Sequence, residues 1–284
     1  MSWRARDHTL WVHGRVSIMG VLNVTPDSFS DGGRYLGVEA AIARAEEIEA
    51  QGADLLDLGG ESSRPGSQPV PVDVELARVL PVLAALAGRI RIPISVDTTK
   101  AAVARRALDA GAAIINDISA LRSDPEMADV VTKAKAGLIL MHMQGTPATM
   151  QDHPTYTDVV EEVYDFLRSR VEAAVAAGIE VERIAVDPGF GFGKTSDHNL
   201  VLLGGLPALR GLDRPIVIGP SRKSFVGSIL GRSVEDREWG TAAAVAVGVL
   251  QGAQVVRVHS VAQMRDVARV AQAIRDQVPL YVNR

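Results

Sequence analysis

The chain has 284 residues, of which 47% are hydrophobic and 23% charged, with a formal net charge of −4 and no cysteine. The apolar content supplies a large core, while the weak negative charge excludes a general attraction to nucleic acid or to anionic membranes. Without cysteine there are no disulfides, thiol nucleophiles or thiolate metal sites, as is common in a reducing compartment.

The N-terminal segment is charged and lacks the apolar stretch of a secretory signal. The apolar runs elsewhere are too short to cross a bilayer. We therefore expect a cytoplasmic protein with no membrane and no nucleic-acid partner.

Short apolar runs alternate with helical patterns along the chain. Residues 1–15, with Leu10 and the turn at His13-Gly14, predict a short N-terminal β-hairpin. The runs that follow are rich in Val, Ile and Leu and do not alternate with polar residues, as is typical of parallel strands covered on both faces. The predicted strands are residues 17–22, 54–58, 94–97, 113–116, 138–141, 184–187, 216–219 and 255–258.

The segments between these runs have helical spacing, most clearly residues 39–50, 74–86, 159–177 and the helix that follows Ser260. The alternation predicts an α/β protein, a (β/α)8 TIM barrel that forms one domain over residues 1–284, with 278–284 as a loose tail. An open, doubly wound sheet is the alternative that periodicity leaves open.

Polar residues follow the end of every predicted strand. In a barrel these positions share one mouth, where the chemistry lies. Each residue alone could instead cap a helix or bind loop amides. The residues are Asn23, Asp57, Glu61, Asp97, Asn116, His142, Asp187, Ser221, Lys223, Arg257 and His259. Taken together, Asp97, Asn116 and Asp187 offer donors and acceptors for a flat heterocycle with several NH groups.

Three loops at this end stand out. Residues 25–33 form a polar loop rich in turn residues, and residues 59–72 form a longer connection than is usual between a strand and a helix. Both loops indicate lids, although solvated surface loops are the alternative. The loop after Asp187 alternates three glycines with Phe190 and Phe192, and we expect it to be flexible with both rings exposed.

The late loops favour an anion. Residues 219–224 open a helix and bring Arg222 and Lys223 to its amide groups, while Arg257 and His259 occupy alternate positions of the last strand. Arg64 could close over them from the second loop. The pattern predicts a pocket for a pyrophosphate group, with Asn23 available for Mg²⁺.

With these motifs the chain resembles the dihydropteroate synthase family over nearly its whole length. The matching segments are residues 19–33, 59–66, 95–98, 116–117, 187–194, 221–224 and 257–259. Ser63 stands where many members carry Thr, but it keeps the hydroxyl.

The resemblance implies that 6-hydroxymethyl-7,8-dihydropterin diphosphate condenses with p-aminobenzoate, giving dihydropteroate and pyrophosphate. It implies a homodimer, and sulfonamides as inhibitors. It assigns the pterin to Asp97, Asn116, Asp187 and Lys223, the diphosphate to Ser63, Arg64, Arg257 and His259, the p-aminobenzoate side to Pro65, Phe190 and Ser224, and Mg²⁺ to Asn23. Met141 is a further expected substrate-binding residue. Asp97, Asp187, Lys223 and Arg64 are the expected catalytic residues.

The chemistry expected from these residues is SN1-like. Cations stabilise the charge that grows on the leaving diphosphate, and a carboxylate supports the cationic pterin while the loops exclude water. A pterin-binding methyltransferase domain and a catalytically silent pterin-binding paralogue are the alternatives. The diphosphate cluster argues against the first, and the intact segment around Arg64 argues against the second.

Overall fold

A ring of parallel strands surrounded by helices forms the body of the protein. The computed structural model describes residues 2–11, 14–25 and 34–277. The strands are β1 (Trp3–Ala5), β2 (His8–Trp11), β3 (Ser17–Asn23), β4 (Leu55–Gly59), β5 (Ile94–Asp97), β6 (Ile114–Asp117), β7 (Gly137–Met141), β8 (Ile184–Asp187), β9 (Val217–Ile218) and β10 (Val255–Val258). The helices are α1 (Arg34–Ala50), α2 (Val72–Leu86), α3 (Ala101–Asp109), α4 (Met127–Ala134), α5 (Val159–Ala176), α6 (Ser196–Gly204), α7 (Ser224–Leu230), α8 (Glu238–Leu250) and α9 (Val261–Gln277).

The described strands form a nearly closed barrel. The 8-stranded sheet has the order β8-β7-β6-β5-β4-β3-β10-β9. Its two edge strands meet through a parallel bridge between Val186 and Ile216, where the amide of Val186 donates to the carbonyl of Pro215 at 2.9 Å. The predicted TIM barrel is therefore confirmed, and the open sheet is wrong because the edges close on each other.

Two apolar layers explain why the strands are apolar throughout. The inner layer fills the barrel with residues such as Met19, Leu55 and Ile139, and the outer layer packs Ile18, Leu56 and Leu138 against the helices. Each strand sends alternate side chains to opposite faces, so burial of both faces removes the alternation with polar residues.

The N-terminal hairpin closes one end of the barrel. Trp3 is completely buried in the inner layer, and its indole N–H donates to the carbonyl of Arg183 at 3.0 Å, just before β8. At the start of β7, a Cβ added to Gly137 would lie 2.9 Å from the Cβ of Ala5, so a glycine lets the hairpin approach. The predicted N-terminal hairpin is thus confirmed, although its turn lies at Arg6 and Asp7 rather than at His13-Gly14. The hairpin plugs the N-terminal ends of the strands.

Several predicted boundaries differ from the observed ones. Helix α1 begins at Arg34 rather than at residue 39, and α5 ends at Ala176, with Gly178 just beyond it at φ +92°. Residues 26–33 of the first predicted lid, His13 and the tail (residues 278–284) lie outside the described residues. Within the described ranges, none of the helices combines the length and the hydropathy that a membrane crossing requires.

Candidate active site

The strand-end residues form a row across the open end of the barrel. Asn23 of β3 pairs in register with Gly59 of β4, Gly59 pairs with Asp97 of β5, and Asp97 pairs with Asn116 of β6. Because the strands are parallel, this row lies at the end opposite the hairpin.

Arg257 connects the polar side chains inside this mouth. Its Nε donates to Asp57 Oδ2 at 2.6 Å, and its Nη2 donates to Asp97 Oδ2 at 3.2 Å. Asn116 also donates to Asp57 Oδ2, at 3.3 Å. Asp57 is completely buried and was singled out from the sequence only as a strand-end residue, without a role. Asp57 therefore holds Arg257 and Asn116 in place by accepting a hydrogen bond from each.

The two carboxyl groups predicted to contact the pterin have raised pKa values. Burial, and next the charge of Asp57, raises the pKa of Asp97 to about 7, although Arg257 opposes the change. Burial likewise raises the pKa of Asp187 to about 6, against the hydrogen bond that its Oδ1 accepts from the amide of Gly189 at 2.7 Å. Both groups therefore change charge close to neutral pH.

Lys223 brings a cation to the same mouth. Its ammonium lies 4.0 Å from the centre of the Phe192 ring, a cation–π contact. Burial, and next the charge of Arg257, lowers the pKa of Lys223 to about 8, while Asp187 and Asp97 oppose the change. Lys223 therefore lies within electrostatic reach of both carboxylates.

A second cluster of donors lies beside the first. Ser221 Oγ and His259 Nδ1 are 2.9 Å apart, and the amide of His259 donates to the same hydroxyl at 3.3 Å. Burial, and next the charges of Arg257, Arg222, Lys223 and Arg64, lowers the pKa of His259 to about 3. A neutral imidazole surrounded by cations is a favourable environment for an anion.

The second loop is held at its base and exposed at its tip. Lys100 Nζ lies 2.5 Å from Glu61 Oε2 in the loop and 2.6 Å from Glu75 Oε2 in α2. Glu61 also accepts from the amide of Val70 at 2.9 Å, which ties the end of the loop to its beginning. Arg64, at the tip, is exposed. No strand-end pattern marks Lys100 or Glu75, so this anchor is not predictable from local sequence.

The glycine-rich loop contradicts one expectation. Phe190 is 1% exposed and Phe192 is 7% exposed, so the predicted exposure of both rings is wrong. Gly189 and Gly193 have φ values of +69° and +60°, and a Cβ on either would overlap the carbonyl oxygens of His142 and Gln144. The loop packs on residues 142–144, and this approach turns both rings inward.

The remaining predicted residues lie on different sides of the mouth. Met141 is buried with Phe192 in a small apolar cluster. Phe190 lies 6.3 Å from Phe225, between ring centres, and Ser224 is exposed where α7 begins. Arg257, predicted beside the diphosphate, instead contacts the carboxylates predicted for the pterin, so it lies between the two groups.

Asn23 fits the predicted magnesium only as a single ligand. A Cβ added to Gly59 would lie 3.2 Å from Asn23 Oδ1, so glycine keeps space open beside this amide oxygen. Among the described residues there is no cluster of three or more histidine and acidic side chains that could hold a metal. One amide oxygen suits an ion that takes its other ligands from substrate phosphates and water.

Comparison with known proteins links this chain to pterin chemistry. Residues 19–259 match the family described as pterin binding enzyme. The dihydropteroate synthase of Synechocystis sp. is 45% identical over 261 residues, covering 92% of this chain and 90% of that protein.

Solved structures have the same fold over nearly the whole chain. Xanthomonas albilineans dihydropteroate synthase with 4-aminobenzoic acid matches with a TM-score of 0.89 at 46% identity, covering 98% of this chain and 100% of the other. Yersinia pestis dihydropteroate synthase in a sulfonamide drug complex matches with a TM-score of 0.91 at 42% identity, with coverage of 98% and 100%.

Proposed function

The chain belongs to the pterin binding enzyme family, among its dihydropteroate synthases, and from this premise we propose how its own residues carry the reaction. It is a transferase of folate biosynthesis that joins 6-hydroxymethyl-7,8-dihydropterin diphosphate to p-aminobenzoate, giving 7,8-dihydropteroate and pyrophosphate. The observation that carries the assignment of residues is the charged mouth in which Arg257 joins Asp57 and Asp97.

Asp97, Asn116, Asp187 and Lys223 hold the pterin ring. Asp97 and Asn116 occupy adjacent strands in register, and Asp187 and Lys223 approach from the far side of the barrel. Buried carboxylates and amides need partners, and the NH and carbonyl groups of a pterin supply them. Met141 adds apolar contact at the edge of the ring.

The diphosphate lies with Ser63, Arg64 and His259, beside Arg257. Arg64 closes from the exposed tip of the second loop, while the base anchored by Lys100 stays in place. The positive charge of Arg64 and Arg257 stabilises the charge that grows on the leaving group, and this stabilisation lowers the barrier. Mg²⁺ bound with the diphosphate, with Asn23 as one ligand, would neutralise part of that charge. The pterin carbon then reacts by an SN1-like path, with Asp97 or Asp187 supporting the cationic ring.

The p-aminobenzoate approaches over Pro65 and Ser224, which are both exposed. Phe190 supports this side from below, since it is 1% exposed. Sulfonamides compete for the same position, a proposal supported by the drug complex of the Yersinia pestis relative.

A coupled assay for pyrophosphate, with p-aminobenzoate present and absent, tests the reaction. We expect release of pyrophosphate that depends on p-aminobenzoate and matches the dihydropteroate formed. Methyl transfer without pyrophosphate would favour the methyltransferase alternative, and pterin binding without turnover would favour the silent paralogue. A kinetic isotope effect with little cationic character at the pterin carbon would count against the SN1-like path.

We further propose a homodimer formed through α8 and α9. These helices pack against each other and leave apolar side chains facing outward, with Trp239 87%, Val270 62% and Ile274 50% exposed. Trp239→Glu should shift the sedimentation coefficient to that of a monomer, and an unchanged value would move the interface elsewhere. The cytoplasmic location stays a prediction, which cell fractionation would test.

A further inference from the structure

Lys194 lies directly behind the pterin side of the mouth. It is 2% exposed, and its Nζ lies 2.8 Å from His142 Nδ1, 3.0 Å from the carbonyl of Gly189 and 3.1 Å from the carbonyl of Phe192. These three acceptors match the three donors of an ammonium group. The reaction assigned above gives this buried lysine no role.

The contacts of Lys194 act on the loop that carries Asp187. The amide of Gly189 donates to the Asp187 carboxylate at 2.7 Å, and the carbonyl of the same residue accepts from Lys194. One side chain therefore holds Gly189, the residue whose amide orients the Asp187 carboxylate. Asn199 accepts from the amide of Gly191 at 2.7 Å and completes the support of the loop.

Lys194 also acts through its charge. Its ammonium lowers the pKa of Asp187, against the effect of burial. Burial, opposed by Asp187 and reinforced by Lys223, brings the pKa of Lys194 itself down to about 7. Burial, followed by the charges of Lys194 and Arg122, lowers the pKa of His142 to about 2, so the imidazole stays neutral and its Nδ1 can accept a hydrogen bond from the Lys194 ammonium.

We propose that Lys194 is a positioning residue of the pterin site, whose buried ammonium fixes the glycine-rich loop and whose positive charge supports the Asp187 carboxylate. The inference rests on the proposed role of Asp187 in holding the pterin. Lys194 is shielded from the mouth by the loop, so it acts through Asp187 rather than on the substrate.

The test is Lys194→Met, which keeps the length of the stem and removes the charge. Pterin affinity would be measured by calorimetry at about pH 6 and about pH 8.5, on either side of the titration of Lys194 at about 7. At the lower pH we expect an affinity about fivefold below that of the unmodified protein, the effect that a one-unit rise in the Asp187 pKa of about 6 has on the ionised fraction at that pH. The difference in pterin affinity between Lys194→Met and the unmodified protein should be smaller at the higher pH, because the native lysine has also lost its charge there.

The control is Lys133→Met, the same change at a side chain that is 73% exposed on α4. It should bind the pterin as the unmodified protein does. Equal affinity of Lys194→Met and the unmodified protein overturns the proposal. A deficit of the same size at both pH values also overturns it, since a merely structural lysine gives that result. Failure of the unmodified protein to bind any pterin would instead count against the proposed function.

A second measurement does not depend on the folding of the variant. With ¹³C-labelled lysine, NMR of the unmodified protein should show one ε-carbon that titrates near 7, and Lys223→Met allows its assignment by removing the signal expected near 8. In Asp187→Asn the Lys194 signal should titrate at a lower pH, because the opposing carboxylate is gone. A Lys194 signal that titrates at the same pH in Asp187→Asn as in the unmodified protein would overturn the proposal, because the two charges would then not interact.

Discussion

The two ends of the barrel are built from the same strands but differ in chemistry. At the hairpin end the inner positions carry Leu55, Ala185 and Val255, packed under Trp3. Two residues further along the same strands, and on the same face, stand Asp57, Asp187 and Arg257. Two residues along each strand therefore separate the sealed apolar core from the charged mouth.

This difference separates stability from function. At the hairpin end, apolar burial favours the folded state without any buried charge. At the mouth, Asp97 and Asp187 have raised pKa values because ionisation in the folded protein is costly there. Under the proposed function, the substrate groups supply the partners that the protein leaves incomplete, and the mouth gives up stability to gain binding.

The largest effect should come from Trp3→Ala at the closed end. Removing the completely buried indole should lower the free energy of unfolding by about 3–5 kcal/mol, measured by urea denaturation. Turnover per folded molecule should not change, because no part of the hairpin reaches the mouth. Val175→Ala, at a side chain 44% exposed on α5, is the control and should stay within about 0.5 kcal/mol. If Trp3→Ala lost turnover but kept its free energy of unfolding, the two ends of the barrel would not separate stability from function.

Arg64→Ala should show the opposite pattern at the mouth. We expect kcat to fall by about 10²–10³, the scale for losing a donor that acts on transition-state charge. The free energy of unfolding should not change, because the Arg64 side chain is exposed at the tip of the loop. Arg105→Ala, at a side chain 50% exposed, provides the matched control in steady-state kinetics. Unchanged turnover would remove Arg64 from the mechanism.

Asp187→Asn should weaken pterin binding and stabilise the fold. Affinity should fall by about 1–3 kcal/mol, the scale of a buried polar mismatch, in calorimetric titrations. The pKa of Asp187 rises from 3.8 to about 6 on folding, so the folded state is penalised increasingly as pH rises through that window and fully above it. Removing the ionisable group should therefore raise the free energy of unfolding at pH 8 by about 1–3 kcal/mol. A less stable variant would mean that Asp187 supports the fold.

The smallest expected effect is the pH dependence of pterin binding. The carboxylates bind as anions, so affinity should fall as pH drops through the pKa values of about 7 for Asp97 and about 6 for Asp187. The loss should be about tenfold per pH unit for each group once it is protonated. In Asp187→Asn, pterin affinity should fall only near pH 7, the pKa of Asp97. In Trp3→Ala, it should fall near both pKa values. A flat profile in calorimetry across this range would show that neither carboxylate binds the pterin as an anion.

Local patterns in the sequence determined the barrel and the composition of its mouth. Continuous apolar runs identified the strands, because a strand that is buried on both faces is apolar at successive positions, and this pattern is visible in a short segment. Asp97, Asn116 and Asp187 were found because a polar residue that ends an apolar run is also visible locally, and the structure puts Asp97 and Asn116 side by side.

Tertiary structure alone decided which of these residues touch. Arg257 meets Asp57 across 200 positions of the chain, and Lys194 meets His142 across 52. The inward rotation of Phe190 follows from the contact of Gly189 with the backbone at His142, which spacing along the chain does not encode. Partners distant in sequence are chosen by packing and electrostatics in the closed barrel, and these have no signature in the neighbouring residues.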